Sequence, residues 1–184
     1  MANFFKDNPD LMFTLNHLDL AESTKLQENG YKYAETYDNA PVDYADALDN
    51  FNRVLEVVGE ICGDRIEPRS RTVDAEGPHF ADGVVTYHPL TVQNLKDLTQ
   101  AGLMGVMLGH QYGGLNFPVS VYTMMTEMVS RADASLQNIF GLQDIAETIN
   151  FFGSEEQKNT YLPKFASGEY DGSMDLTEPD FGSD

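Results

Sequence analysis

The residues of this chain best placed for chemistry gather in one run, Gly172-Ser-Met-Asp-Leu-Thr-Glu-Pro-Asp-Phe-Gly-Ser-Asp184. Met174 and Leu176 alternate with polar neighbours, the period of a half-buried strand. Pro179 biases Glu178 towards extended geometry and marks a turn. Beyond the turn, Gly182-Ser183 offers a hydroxyl and backbone N–H groups on a small, permissive pair. A strand and turn of this kind presents donors to an anion or to the polar edge of a ring. The plainer reading of the same residues is an ordinary strand and turn.

Elsewhere the candidates thin out. His17, His79, His88 and His110 lie in unlike segments with no i, i+4 pair and no HExxH, which speaks against a metal site. Ser183 stands in Phe-Gly-Ser-Asp and not in the G-x-S-x-G setting of an activated serine. Gly105, Gly109, Gly113 and Gly114 crowd the stretch 103–118, but no G-x-x-x-x-G-K-[ST] is present, so this reads as a connector and not a phosphate cradle. Acidic neighbours such as Asp43 with Asp46, or Glu155 with Glu156, carry little information in a chain with 30 Asp and Glu. They read as solvated helix faces, and no general base stands out.

The acidic residues are spread through both halves and give a net charge of −19 against only 11 Lys and Arg. A nucleic-acid partner needs clustered cations, so that class is excluded. A single cysteine, Cys62, excludes an internal disulfide and a cysteine-rich zinc site. No apolar run reaches the roughly 20 residues of a membrane span, and the start Met1-Ala-Asn-Phe-Phe-Lys has no basic region leading into an apolar core. The expectation is a cytoplasmic globular protein.

The elements that must position the C-terminal run are mainly helical. Residues 1–40 divide into an apolar stretch, broken at Asn8-Pro9 and read as an extended arm, and a tyrosine-rich connection. From Asp43 a cap leads into a stripe of Tyr44, Leu48, Phe51, Leu55, Val58 and Cys62 at helical spacing, ending at Glu67 or kinking at Pro68. Asp82-Gly83 between Phe80 and Val84 predicts a short hairpin. Thr91 is read as the cap of a helix that Gly102 ends, and Pro118 as the first position of another carrying Val121, Met124, Met125, Met128 and Val129. A helix is expected over 135–152, then a capping box at Ser154-Glu-Glu-Gln157 and a last helix with Tyr161, Leu162 and Phe165. The sum is a bundle of helices over 41–168, followed at 169–184 by one β element without a strand partner.

Four segments in this order resemble the N-terminal half of the flavin-dependent acyl-CoA dehydrogenases. They are Leu103-Met-Gly-Val-Met-Leu-Gly-His-Gln-Tyr-Gly-Gly114, Thr126-Glu-Met-Val-Ser-Arg-Ala-Asp-Ala-Ser135, Gly153-Ser-Glu-Glu-Gln-Lys-Asn-Thr-Tyr-Leu-Pro163 with Ser167-Gly-Glu169, and Leu176-Thr-Glu-Pro-Asp-Phe-Gly-Ser-Asp184. The resemblance covers residues 42–184, and the apolar N-terminal arm is similar to the extension of longer members akin to the 3-methylmercaptopropionyl-CoA dehydrogenases. It implies the family's helical N-terminal domain followed by the first strand of its middle β-barrel domain, with a C-terminal helical domain lying beyond. It also implies FAD, an acyl-CoA substrate dehydrogenated across its α and β carbons, a homodimer or homotetramer, and an electron-transfer flavoprotein as acceptor.

Transferred to this sequence, the resemblance implies that Met174, Leu176 and Thr177 run along the flavin ring. Gly182 and Ser183 then meet its pyrophosphate, or the CoA side of the substrate in the case of Ser183. Phe140 and Gln143 face the acyl tail. Many members carry an aromatic residue in place of Met174 and small ones in place of Asp180 and Phe181. The family's catalytic glutamate belongs to the C-terminal domain, so no residue of this chain is assigned as base, and the expectation is an N-terminal portion inactive alone. The alternatives are a flavin-dependent oxidase or monooxygenase on the same fold, and a non-catalytic helical interaction module.

Overall fold

A computed structural model describes residues 2–175 and 177–182. Its first helix, α1 (Pro9–His17), begins where the sequence suggested a break. The Asn8 side chain accepts from the N–H groups of Asp10 and Leu11 at 3.1 and 3.2 Å. Pro9 occupies the first turn, where its missing donor costs nothing. Asn-Pro is therefore a helix start here, and the expected extended arm is instead helical. A second helix, α2 (Ala21–Gln27), follows. Phe4, Phe5, Leu11, Leu15 and Leu20 are buried in the same core as the rest of the bundle.

The longest helix, α3 (Tyr44–Ile61), is capped by Asp43, whose carboxylate accepts from Asp46 N–H at 2.9 Å. Its stripe of Ala47, Phe51, Leu55 and Val58 forms the centre of the core. The helix passes through a π-helical turn at Cys62–Ile66 into α4 (Glu67–Glu76), so Pro68 is accommodated in a first turn and does not end the helix. The N-terminal chain lies directly on this helix. Phe4 N–H donates to the Gly59 carbonyl at 3.0 Å, and a Cβ on Gly59 would come within 2.6 Å of the Phe5 nitrogen. Only glycine permits that approach.

The hairpin forms as expected from β1 (His79–Ala81) and β2 (Val84–Thr86), antiparallel with Phe80 opposite Val85. Asp82 and Gly83 take positive φ of 52° and 80° in the turn. Helix α5 (Pro89–Gln100) is capped by His88, whose Nδ1 accepts from Leu90 N–H, and not by Thr91. Pro118 likewise stands one residue earlier than expected, as the N-cap of α6 (Val119–Ala132), with ψ of 146°. The methionine stripe Met124, Met125 and Met128 is buried, as its spacing required.

The helix expected over 135–152 is two. Helix α7 (Ala134–Gly141) gives way to a 3-10 turn at Leu142–Asp144 and then to α8 (Ile145–Phe152). Gln143 Nε2 donates to the Phe140 carbonyl at 3.0 Å, competing with the helical ladder at the break. Helix α9 (Glu155–Ala166) starts on the expected capping box, with Gln157 N–H bonded to Ser154 and Ser154 N–H bonded to Gln157. A second, smaller core of Leu108, Ala146, Leu162 and Phe165 joins α8, α9 and the glycine-rich stretch.

After α9 the described residues of the C-terminal run form neither helix nor ladder. A strand is a pairing, and β1 and β2 are satisfied by each other. The strand expected at Met174 to Thr177 therefore has no partner among the described residues.

Candidate functional site

The C-terminal run is anchored at one glycine and exposed beyond it. Gly172 lies against the 3-10 turn, where a Cβ would fall 2.6 Å from the Leu142 carbonyl oxygen and 2.9 Å from Ile145 Cβ. Met174 is 61% exposed, and Thr177 and Gly182 are exposed as well. The expected turn forms: Glu178 N–H donates to the Phe181 carbonyl at 2.8 Å and Phe181 N–H returns to Glu178 at 3.3 Å, across Pro179-Asp180. Leu176 and Ser183 lie outside the described residues.

The described part of the run thus exposes an apolar side chain at Met174 and a hydroxyl-bearing residue at Thr177. The run from Gly172 to Gly182 contains no lysine or arginine, so a phosphate there would rely on backbone N–H groups and hydroxyls.

Phe140 and Gln143 sit on the inner side of the same 3-10 turn. Phe140 is fully buried, tilted against Tyr122 with ring centroids 6.4 Å apart. Gln143 is buried and spends its amide on the protein: Oε1 accepts from Gly105 N–H at 2.7 Å, and Nε2 donates to the Phe140 carbonyl. Gly105 has φ of 64° and would place a Cβ 2.7 Å from Ala166 Cα, so the glycine-rich stretch is pinned between Gln143 and α9. The structure thus brings Phe140, Gln143 and the start of the C-terminal run to one turn, with Met174 and Thr177 leading outward from it.

Two groupings had no local signal in the sequence. The first is buried. Glu28 and His110 meet at 3.0 Å (Oε2 to Nε2), Asn116 Nδ2 donates to Glu28 Oε1 at 2.9 Å, and the Tyr37 ring stacks on His110 at 5.6 Å. This cluster ties the N-terminal segment to the glycine-rich stretch. It cannot hold a metal on its own, and no group of three His, Cys, Asp or Glu among the described residues could.

The second is a cleft of about 760 Å³ whose walls include Leu26 of α2, Phe117, Tyr122 of α6 and Phe151 of α8. Asp144 and Glu147 also line it. Burial pushes the Glu147 carboxyl up, partly opposed by a hydrogen bond from Asn150. Burial also raises the Tyr122 phenol, the charge of Asp144 adds to the shift, and its hydroxyl donates to the Gly141 carbonyl at 3.1 Å.

Residues 49–169 match the family model described as "Acyl-CoA dehydrogenase, N-terminal domain". The chain is 31% identical over 180 residues to a 3-methylmercaptopropionyl-CoA dehydrogenase of Ruegeria pomeroyi, covering 95% of this chain and 28% of that protein. It is 39% identical over 94 residues to an acyl-CoA dehydrogenase of Bacillus subtilis, covering 50% of this chain and 25% of the relative. An isovaleryl-CoA dehydrogenase of Solanum tuberosum is 29% identical over 139 residues, with 74% of this chain and 31% of the relative covered. The chain therefore spans between a quarter and a third of the length of these relatives. No helix among the described residues is long and apolar enough to cross a membrane.

Proposed function

We propose that this chain, which belongs to the acyl-CoA dehydrogenase family, supplies one wall of an FAD site in an enzyme that dehydrogenates an acyl-CoA thioester across its α and β carbons. The observation that carries this reading is the family match over residues 49–169, with the ring-edge run beginning directly after it. The similar proteins are named as dehydrogenases of acyl-CoA thioesters, and the exposed groups of the run suit a flavin's edge.

In this reading Met174 and Leu176 lie along the ring, and the Thr177 hydroxyl with neighbouring backbone groups bonds its polar edge. Gly182 and Ser183 meet the pyrophosphate, and Ser183 also the CoA side of the substrate. When bound, FAD supplies the two-electron acceptor for the hydride leaving the β carbon. Phe140 and Gln143 act from behind the wall. Gln143 fixes the 3-10 turn to Gly105, and Phe140 fills the space beneath it, so the surface facing the acyl tail is rigid. The carboxylate that takes the α proton is placed outside residues 1–184, and this chain alone has no dehydrogenase activity. A cytoplasmic homodimer or homotetramer passing electrons to an electron-transfer flavoprotein completes the reading.

The test is to produce the polypeptide carrying this sequence at the length of its relatives and measure bound flavin. The expected product is yellow, bleaches with an acyl-CoA, and loses flavin affinity about tenfold in Thr177→Ala, the scale of one hydrogen bond. A colourless protein that stays apo with added FAD would overturn the reading. Substrate-driven oxygen consumption without need of a flavoprotein acceptor would move it to an oxidase.

A further inference from the structure

The helix break at Leu142–Asp144 is held open from two sides. In an uninterrupted α-helix the Gly141 carbonyl accepts from Ile145 N–H, four residues on. Here Ile145 N–H turns to the carbonyls of Leu142 and Gln143 instead. The Gly141 carbonyl accepts from the Tyr122 hydroxyl of α6 at 3.1 Å. Gln143 holds the other side, accepting from Gly105 N–H at 2.7 Å and donating to the Phe140 carbonyl at 3.0 Å. Tyr122, Phe140 and Gln143 are all buried, where such bonds are electrostatically stronger than in water. The break is thus a fixed surface of the helical body and not a frayed end.

Gly172 rests on that surface. A Cβ there would meet the Leu142 carbonyl oxygen at 2.6 Å and the Ile145 Cβ at 2.9 Å. The nearest obstacle is backbone that the bonds above hold in place, so a larger residue must move the run and not the break. Gly172 is half-buried, and every described residue after it is exposed. It is therefore the root from which the run leaves the body. At no more than about 3.6 Å per residue, Met174 Cα lies within about 7 Å of this root and Thr177 Cα within about 18 Å. Gly59 is crowded to the same degree, with a Cβ 2.6 Å from the Phe5 nitrogen, but it sits in the core beside buried Phe5. A methyl at Gly59 must open that core, whereas a methyl at Gly172 need only lift an exposed run.

We propose that Gly172 is a positioning residue for the flavin, seated on the break that Tyr122 and Gln143 hold open. The seat sets where the run starts, and so the place at which Met174 and Thr177 meet the ring. It touches neither ring nor substrate and acts through the residues that follow it. The proposal rests on the flavin reading above.

The experiment has two arms. On this chain, without flavin, nuclear Overhauser spectra should show a contact between Gly172 Hα and the Ile145 side chain. Tyr122→Phe, which removes only the hydroxyl, should weaken that contact. Gly172→Ala should leave the urea midpoint at the parent's value, while Gly59→Ala lowers it. On the polypeptide at the length of its relatives, Gly172→Ala should raise the flavin Kd about tenfold, the scale of one hydrogen bond to the ring. It should also shift the visible flavin band, because bonds to the ring's polar edge tune its electronics. A purely structural glycine would move the urea midpoint and leave the bound flavin's spectrum alone. The proposal is overturned by a parent without the Overhauser contact, by a contact that Tyr122→Phe leaves unchanged, or by a Gly172→Ala midpoint that falls as Gly59→Ala does. It is equally overturned by a Gly172→Ala holoprotein with the parent's flavin affinity and spectrum. A parent that stays colourless with added FAD is a separate result: it removes the flavin reading, and with it this role of the seat, even where the contact is present.

Discussion

The two ends of this chain carry similar apolar residues and meet opposite fates. At the N-terminal end Phe4, Phe5, Leu11 and Leu15 are buried, and a polar cluster around Glu28 locks the segment to the glycine-rich stretch. At the C-terminal end Met174 and Phe181 are 61% and 65% exposed, and the turn at Glu178 to Phe181 is held by its own backbone alone. The difference lies in what surrounds them. The N-terminal segment finds Gly59 of α3 and Gly63 of the π-helical turn, which let its backbone approach closely, and a core with room for its side chains. The C-terminal run is anchored once, at Gly172, and then offers its apolar and polar groups outward. One end is packed into the core, and the described residues of the other stand exposed beyond Gly172.

Breaking the N-terminal lock should have the largest effect. Glu28→Ala strands the buried His110 ring and removes one of the two acceptors of the Asn116 amide, and the expected loss is about 4 kcal/mol of unfolding free energy by urea denaturation. A loss below roughly 1 kcal/mol would show that the cluster is not closed to water. Leu15→Ala removes a side chain only 1% exposed and should cost about 3 kcal/mol. The same truncation at the other end, Met174→Ala, should change stability by less than about 0.5 kcal/mol while weakening any flavin binding.

Acid sharpens the contrast from within the packed body. Burial alone would raise the Asp97 carboxyl, but hydrogen bonds from Arg69 and Gln93 and the charges of Arg69 and Arg65 outweigh it and hold the group low. Asp97 is therefore lowered on folding. Its contribution is full above the ordinary carboxylate value of 3.8 and is lost as pH falls through the depressed folded value. Thermal melts across that acid range should show Asp97→Asn less stable than the parent at neutral pH and the gap closing as pH drops. Ser154→Ala, which opens the capping box of α9, should cost about 1 kcal/mol, less than either substitution in the N-terminal segment.

How much of this was legible in the sequence depended on distance along the chain. The α3 stripe, the hairpin turn at Asp82-Gly83, the methionine face of α6 and the capping box at Ser154 are local patterns, and each appears as read. Asn8-Pro9 is local too, but the same dipeptide serves as breaker or as cap and first turn. Only the burial of Leu11 and Leu15 decides between them. The break in the helix at Leu142–Asp144 arises from Gln143 reaching Gly105, a contact across 38 residues that no periodicity encodes. The same holds for Glu28 and His110, which are 82 residues apart, and for the cleft that α2 and α8 enclose. The candidate flavin residues were legible through family resemblance alone. Their alternation suggested a strand, but a strand needs a partner that alternation cannot supply.

Native-state hydrogen exchange on this chain tests the contrast between its ends most directly. The amides of α1, from Leu11 to His17, should exchange with protection matching α3 and α6, as parts of one cooperative core. Those of Met174, Asp175 and Thr177 should exchange at rates close to an unprotected chain. Equal fast exchange at α1 would contradict the account, because the N-terminal segment would then be an arm resting on the fold and not part of it.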